Sequence, residues 1–169
     1  MMRYLTFLIW IGVLVGCTGE AQEQNTKAVA TITATAVVAG NVDLIVMKDM
    51  EFEIASLSST ELTVDPQNNP QSGEIKILGR PNSQVRVTYE REAILRAEGG
   101  SSQLFFTYNL SGGTSIVQSQ SNLLTQNNQI RLSDEGVFYL WVGGRLTGIE
   151  NIVPGNYGME LTLDVEYIL

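Results

Sequence analysis

Few residue types in this chain could do covalent or metal chemistry. Its 169 residues include one cysteine and no histidine. Without an imidazole there is no Ser-His-Asp or Cys-His nucleophile, no His-ligated metal and no histidine proton shuttle. A single thiol makes neither an intramolecular disulfide nor a cysteine-cluster metal site. What that thiol, Cys17, can do depends on its neighbours. It closes the run Leu14-Val15-Gly16-Cys17, which is similar to a bacterial lipobox. Lipidation needs a thiol to accept diacylglycerol and a small residue before it to fit the peptidase cleft. Upstream stand a short basic start, Met1-Met2-Arg3, and the apolar segment Leu5–Val15. That segment is shorter than the roughly 18 residues of a membrane span and fits the h-region of a secretory signal. A conventional signal, cleaved after Gly19-Glu20-Ala21, is the other reading and leaves Cys17 incidental.

The remaining candidates are carboxylates, aromatics and glycines. Asp plus Glu number 18 against 10 Lys plus Arg, a formal charge of −8. This balance argues against nucleic acid as a partner, because phosphate-backbone binding needs a basic face. The acids are scattered over the polar faces of alternating segments, so solvated faces account for them better than a glycosidase pair. Asp65, Asp134 and Glu135 lie in loops and match no EF-hand. Tyr139 and Trp141 are two apart and share a face. A surface pair of that kind stacks on sugar rings, but the neighbours Val137, Phe138, Leu140 and Val142 favour a buried strand and core packing. Gly143-Gly144 precedes neither a Lys-Ser/Thr pair nor a helix, so it reads as the end of a strand rather than a phosphate cradle. Pro154-Gly155 suits the central positions of a type II turn. No catalytic residue, metal ligand set or cofactor site emerges, and a non-enzymatic chain is expected.

The elements that would position these residues are strands. Charged residues are 17% of the chain, below the average of about 25%, and Thr, Val, Ser and Gly are abundant. In Ala28–Val38, Thr31, Thr33 and Thr35 share one face while Ile32, Ala34, Ala36 and Val38 share the other. Further strands are expected at Val42–Met47, Met50–Ile54 and Glu61–Val64, and Asp65–Pro70 is a loop. Glu74–Leu78 and Gln84–Tyr89 alternate on either side of Gly79-Arg80-Pro81-Asn82 and read as a hairpin. Ala93–Ala97, Gln103–Leu110 and the two-sided apolar run Val137–Val142 follow, while Ser119–Asn128 carries no structural signal. From Met159 to Leu169 the alternation is faultless. Met159, Leu161, Leu163, Val165 and Tyr167 fall on one side, and Glu160, Thr162, Asp164 and Glu166 on the other. No window shows a helical period. Short strands with turn signals every 8–12 residues or so indicate an all-β sandwich or barrel of mainly antiparallel sheets. The expected organisation is a lipoprotein signal peptide over 1–16, a flexible tether over 17–27 and one β-domain over 28–169.

Several stretches, in this order, carry a family resemblance. They are Val64-Asp65, Gly73 through Pro81, Val85-Arg86-Val87-Thr88-Tyr89, Leu140 through Leu146, Pro154-Gly155-Asn156-Tyr157-Gly158 and the alternating end. Together they resemble the bacterial domain-of-unknown-function family numbered 4402. Its pattern is pilin-like, with an N-terminal Ala/Thr alternating strand, an internal Gly-x-hydrophobic hairpin, a V-G-G-x-L turn and a P-G-x-Y lead-in to the last strand. The resemblance implies an Ig-like or pilin-like antiparallel β-sandwich, exported to the cell envelope. It also implies a non-enzymatic structural or adhesion-type role resembling that of pilus subunits. In pilins an alternating strand from a chaperone or the next subunit fills an incomplete sandwich. Ile32, Ala34, Ala36 and Val38 near one end, and Leu161, Leu163, Val165 and Tyr167 near the other, are the strand-exchange or core candidates. Expected partners are the membrane, through a lipid on Cys17, and other pilin-like subunits or a periplasmic chaperone. Thr18, not Asp, follows the cysteine, so by resemblance to lipoprotein sorting rules the outer membrane is the expected location. Periplasmic, secreted or pilus-associated placement is the alternative. The rival role is a self-contained β-sandwich lipoprotein binding a ligand such as a carbohydrate.

Overall fold

A computed structural model describes residues 28–39, 42–54, 60–97, 102–152 and 155–168. Cys17 and the lipobox positions Leu14, Val15 and Gly16 lie outside the described residues. The strands are β1 (Ala28–Ala39), β2 (Asp43–Lys48), β3 (Met50–Ile54), β4 (Glu61–Val64), β5 (Gly73–Leu78) and β6 (Gln84–Tyr89) in the first half. The second half holds β7 (Glu92–Ala97), β8 (Gln103–Gly113), β9 (Asn122–Leu124), β10 (Asn128–Arg131), β11 (Val137–Thr147) and β12 (Gly155–Tyr167). Two single 3-10 turns, Gln118–Gln120 and Ile149–Asn151, interrupt them. The chain is an all-β sandwich-like fold.

Hydrogen bonding runs in the order β10-β6-β12-β7-β8-β11-β5-β2, with β1 beside β12, β3 beside β1, β4 beside β11 and β9 beside β8. This path cannot be flat. Between β6 and β5 lie five strand spacings, about 24 Å in a flat sheet. The connection between them is residues 79–83, which reaches about 20 Å even when fully extended. It is not extended, since Ser83 N–H donates to the Arg80 carbonyl at 3.2 Å. The sheet therefore folds over and closes on one apolar cluster. Ile75, Ile77 and Leu140 enter it from one half, and Val85, Val87, Leu163 and Val165 from the other. The alternation expected for the last strand holds at its centre, where Leu161, Leu163 and Val165 are buried and Glu160, Thr162 and Asp164 are exposed. Met159 and Tyr167, on the same side, are only half-buried.

Other expectations need correction. Residues 73–78 and 84–89 are not a hairpin: β5 pairs with β11 and β2, while β6 pairs with β12 and β10. A turn signal says that the chain reverses, not which edges then meet. Gly143-Gly144 does not end its strand, for β11 continues to Thr147. The glycines mark the point where β11 exchanges β5 for β4 as its neighbour. A Cβ on Gly143 would lie 2.4 Å from the Val64 carbonyl oxygen, so the two backbones approach closer than any side chain allows. Gly155 begins β12 with φ of 156°, not the roughly +80° that a type II turn requires. Residues 119–128 hold the end of a 3-10 turn, β9 and the start of β10.

Pairing is antiparallel with one exception among the described strands. β1 runs parallel to β12 over its whole length, from Ala28 opposite Gly155 to Ala39 opposite Glu166. The other edge of β1 meets β3 antiparallel, from Ala28 opposite Ile54 to Ile32 opposite Met50.

Candidate functional site

The two candidate strand sets meet in β1 and β12. Ile32 lies opposite Met159, Ala34 opposite Leu161, Ala36 opposite Leu163 and Val38 opposite Val165. On its other edge β12 pairs Leu163 with Tyr89, Val165 with Val87 and Tyr167 with Val85. Tyr167 is also fastened to the β5–β6 connection. Its hydroxyl accepts the Arg80 backbone N–H at 2.8 Å, and the Arg80 guanidinium lies over its ring at 5.1 Å. A Cβ at Gly79 would come within 2.8 Å of that hydroxyl, so the absence of a side chain lets the tyrosine dock.

On the outer face of β8 and β11, the β4–β5 loop is held down by polar bonds. Asp65 accepts from the Gln67 N–H at 2.9 Å and the Asn68 amide at 3.0 Å, an Asx turn. The Asn68 amide and then the Gln67 N–H hold its carboxyl below the usual carboxylate range. The Gln118 amide donates to the Pro66 and Asn69 carbonyls at 2.9 and 3.0 Å. Ser111 also donates to Pro66, and Ser121 donates to Ser111, both at 2.9 Å. Asp65 is thus spent on its own loop, and it is not joined by Asp134 or Glu135: among the described residues no cluster of three acids forms. Trp141 is buried, as its neighbours suggested, yet it lies outside the main apolar cluster. It stacks with Tyr139 at 6.2 Å, and Lys76 sits 5.9 Å from the Tyr139 ring.

Two concavities adjoin this region. Along one edge of β8, β7 pairs only as far as Thr107, and β9 pairs only from Leu110 onward. Between them the edge of β8 at Tyr108 and Asn109 is bordered by no strand, only by the β6–β7 turn, whose Arg91 carbonyl accepts the Tyr108 N–H at 2.8 Å. This notch opens into a cavity of about 370 Å³. Buried Tyr89 and Tyr108 line it together with exposed Arg91, Asn109, Thr125 and Gln126. A neighbouring concavity of about 420 Å³ shares Asn109 and Leu124 with it and extends to Asp65 and Gln67. Burial pushes the Tyr89 phenol up, opposed by the Arg91 charge, and pushes the Tyr108 phenol up further. The Tyr108 hydroxyl is buried and has no hydrogen-bond partner among the described residues.

A family model described as a domain of unknown function (DUF4402) matches residues 14–167. The chain belongs to this family. No curated protein matches it. The DUF4402 match spans every strand from β1 to β12 and both concavities. Sequence reasoning placed Tyr89 in a strand but assigned none of the notch residues to a site. Tyr89 and Tyr108 occupy inward positions of ordinary alternating strands, and Arg91 and Gln126 stand in turns. The break between β7 and β9 along one edge of β8 is not visible in any local pattern.

Proposed function

We propose that this DUF4402 chain is a non-enzymatic module of the bacterial cell envelope, structural or adhesion-type. In this reading it is exported, anchored at the outer membrane by a lipid on Cys17 and joined to like subunits by strand addition. The observation that supports it most is the parallel pairing of β1 with β12 over twelve register pairs, in which Ile32, Ala34, Ala36 and Val38 fall opposite Met159, Leu161, Leu163 and Val165. The same bonds would form if β1 came from a neighbouring copy, because exchanging an identical strand changes connectivity but no contact. β1 is also the strand next to the proposed tether, so a donated β1 would link a neighbour to the anchor.

The test uses Thr35 and Thr162, which are register partners, in a Cys17→Ser background. One copy carries Thr35→Cys and another, differently tagged, carries Thr162→Cys. A disulfide between the two copies after mild oxidation is expected if β1 is exchanged. Efficient closure only when both cysteines are in one chain would overturn exchange. That second outcome would support the self-contained sandwich, which the pairing of β1 with β12 of its own chain favours.

A further inference from the structure

We propose that the outer face of β7 and β8 docks a second copy of this chain, in a two-fold dimer centred on Ile94 and Phe105. The proposal does not depend on strand addition, which uses β1 and β12.

The argument begins with an apolar island. Ile94 and Phe105 are register partners on neighbouring strands. They are 41% and 55% exposed, and among the described residues no other register pair sets two large exposed apolar side chains together. An apolar centre with a polar rim is the anatomy of a protein interface. A concavity of about 410 Å³ lies beside the pair, lined by Glu92, Ala93, Ile94, Phe105, Phe106 and Thr107. It gives a partner's aromatic ring a recess to enter.

Charge placement names the occupant. Along β7 the outward positions are Glu92, Ile94 and Arg96, all exposed. The acid and the base stand two positions to either side of the isoleucine, about 7 Å from it. Neither forms an ion pair with a described residue; the pairs that do form are Arg86 with Glu166 and Arg145 with Glu61. A purely acidic or purely basic partner would satisfy one of these two charges and be repelled by the other. On β8, Thr107, Phe105 and Gln103 lie opposite Glu92, Ile94 and Arg96 in turn.

A second copy can lie face to face with the two-fold axis along the row from Ile94 to Phe105. That rotation reverses the strand direction and leaves the row in place. Ile94 and Phe105 each meet their own counterpart, Glu92 meets Arg96 of the second copy, and Thr107 meets Gln103. An isologous contact requires this kind of self-complementarity. An axis along the strands would instead bring each Glu92 level with the other, so the charges select the first arrangement. Glu61 lies on the same row, beyond Thr147. Arg145 neutralises it there, and two twisted sheets diverge away from the centre of their contact.

The experiment is sedimentation velocity on the full chain carrying Cys17→Ser, from micromolar to millimolar concentration. A dimer that dissociates on dilution is expected. Phe105→Thr should weaken it at least tenfold with an unchanged melting temperature, because the ring is more than half exposed. Arg96→Glu alone and Glu92→Arg alone should each weaken it too, by setting like charges against each other. The double variant, Glu92→Arg with Arg96→Glu, should restore the dimer. Strand exchange and unspecific association are insensitive to this reversal, so the rescue separates them from the proposed contact. The proposal is overturned if the chain stays monomeric throughout, or if the single variants dimerise as the unaltered chain does. It also fails if the double variant does not recover.

Discussion

Replacing Tyr108 by Phe should stabilise the protein, although it removes a polar group from the interior. Tyr108 is 1% exposed, and its hydroxyl is shielded from solvent without a partner among the described residues. Folding strips this hydroxyl of water and returns no bond, at a cost of about 1–3 kcal/mol. Phenylalanine keeps the ring, including its edge-on contact with Phe106 at a centroid distance of 4.9 Å and an angle of 77°. The hydroxyl's small volume is lost, which offsets part of the gain. A net stabilisation of about 1 kcal/mol is expected, or roughly 3–5 °C in melting temperature for a domain of this size. Denaturant melts should show a higher midpoint with an unchanged slope. Alkaline titration adds a second readout. Above the ordinary phenol value of 10.0 the unfolded chain releases this proton while the folded chain retains it. Stability therefore falls as pH rises past that value, and Tyr108→Phe should make the fall shallower. A loss of about 1 kcal/mol or more in Tyr108→Phe would mean that the hydroxyl is bonded in the folded protein, and the reasoning would be wrong.

Leu163→Ala should cost about 2–5 kcal/mol, because Leu163 is 1% exposed within the main core. Asp164→Ala, on the wet side of the same strand, should stay within about 0.5 kcal/mol in the same urea melts. Gly136→Ala should destabilise by more than about 1 kcal/mol, since Gly136 has φ of 76° and a Cβ there would approach the Gly79 carbonyl oxygen to 2.1 Å. Thermal melts would test it, and a melting temperature equal to that of the unaltered chain would refute the close approach. Cys17→Ser should move the protein from the membrane to the soluble fraction of cells, and equal partition of both forms would refute lipid anchoring.

Strand positions were legible where side-chain alternation is a local property of the backbone. β6 and β12 declare their faces in sequence, and Val85, Val87, Leu161, Leu163 and Val165 are buried accordingly. The loop at Asp65–Pro70 was legible for the same reason, as Asp, Asn and Pro build turns from their own atoms. The 119–128 segment was not, because its order comes from distant partners: the Gln67 amide, 54 residues away, donates to the Ser121 carbonyl, β9 pairs with β8 and β10 with β6. Nothing in a run of Ser, Gln and Asn states which distant strand or side chain it will meet. The candidate notch was equally hidden, since it is defined by where two strands stop beside a third.

The sequence by itself determined the all-β class, the burial pattern of the last strand, the charge, and the absence of any imidazole or disulfide chemistry. These follow from residue type and from spacings of one or two positions. Tertiary structure alone decided which edges pair. It sent β5 and β6 into different parts of the sheet, laid β1 parallel to β12, and carried β11 through two glycines to a new neighbour. The physical reason is that backbone N–H and C=O groups are identical along every strand. An edge carries no address of its own, and its partner is chosen only when the apolar faces of the whole chain are buried together.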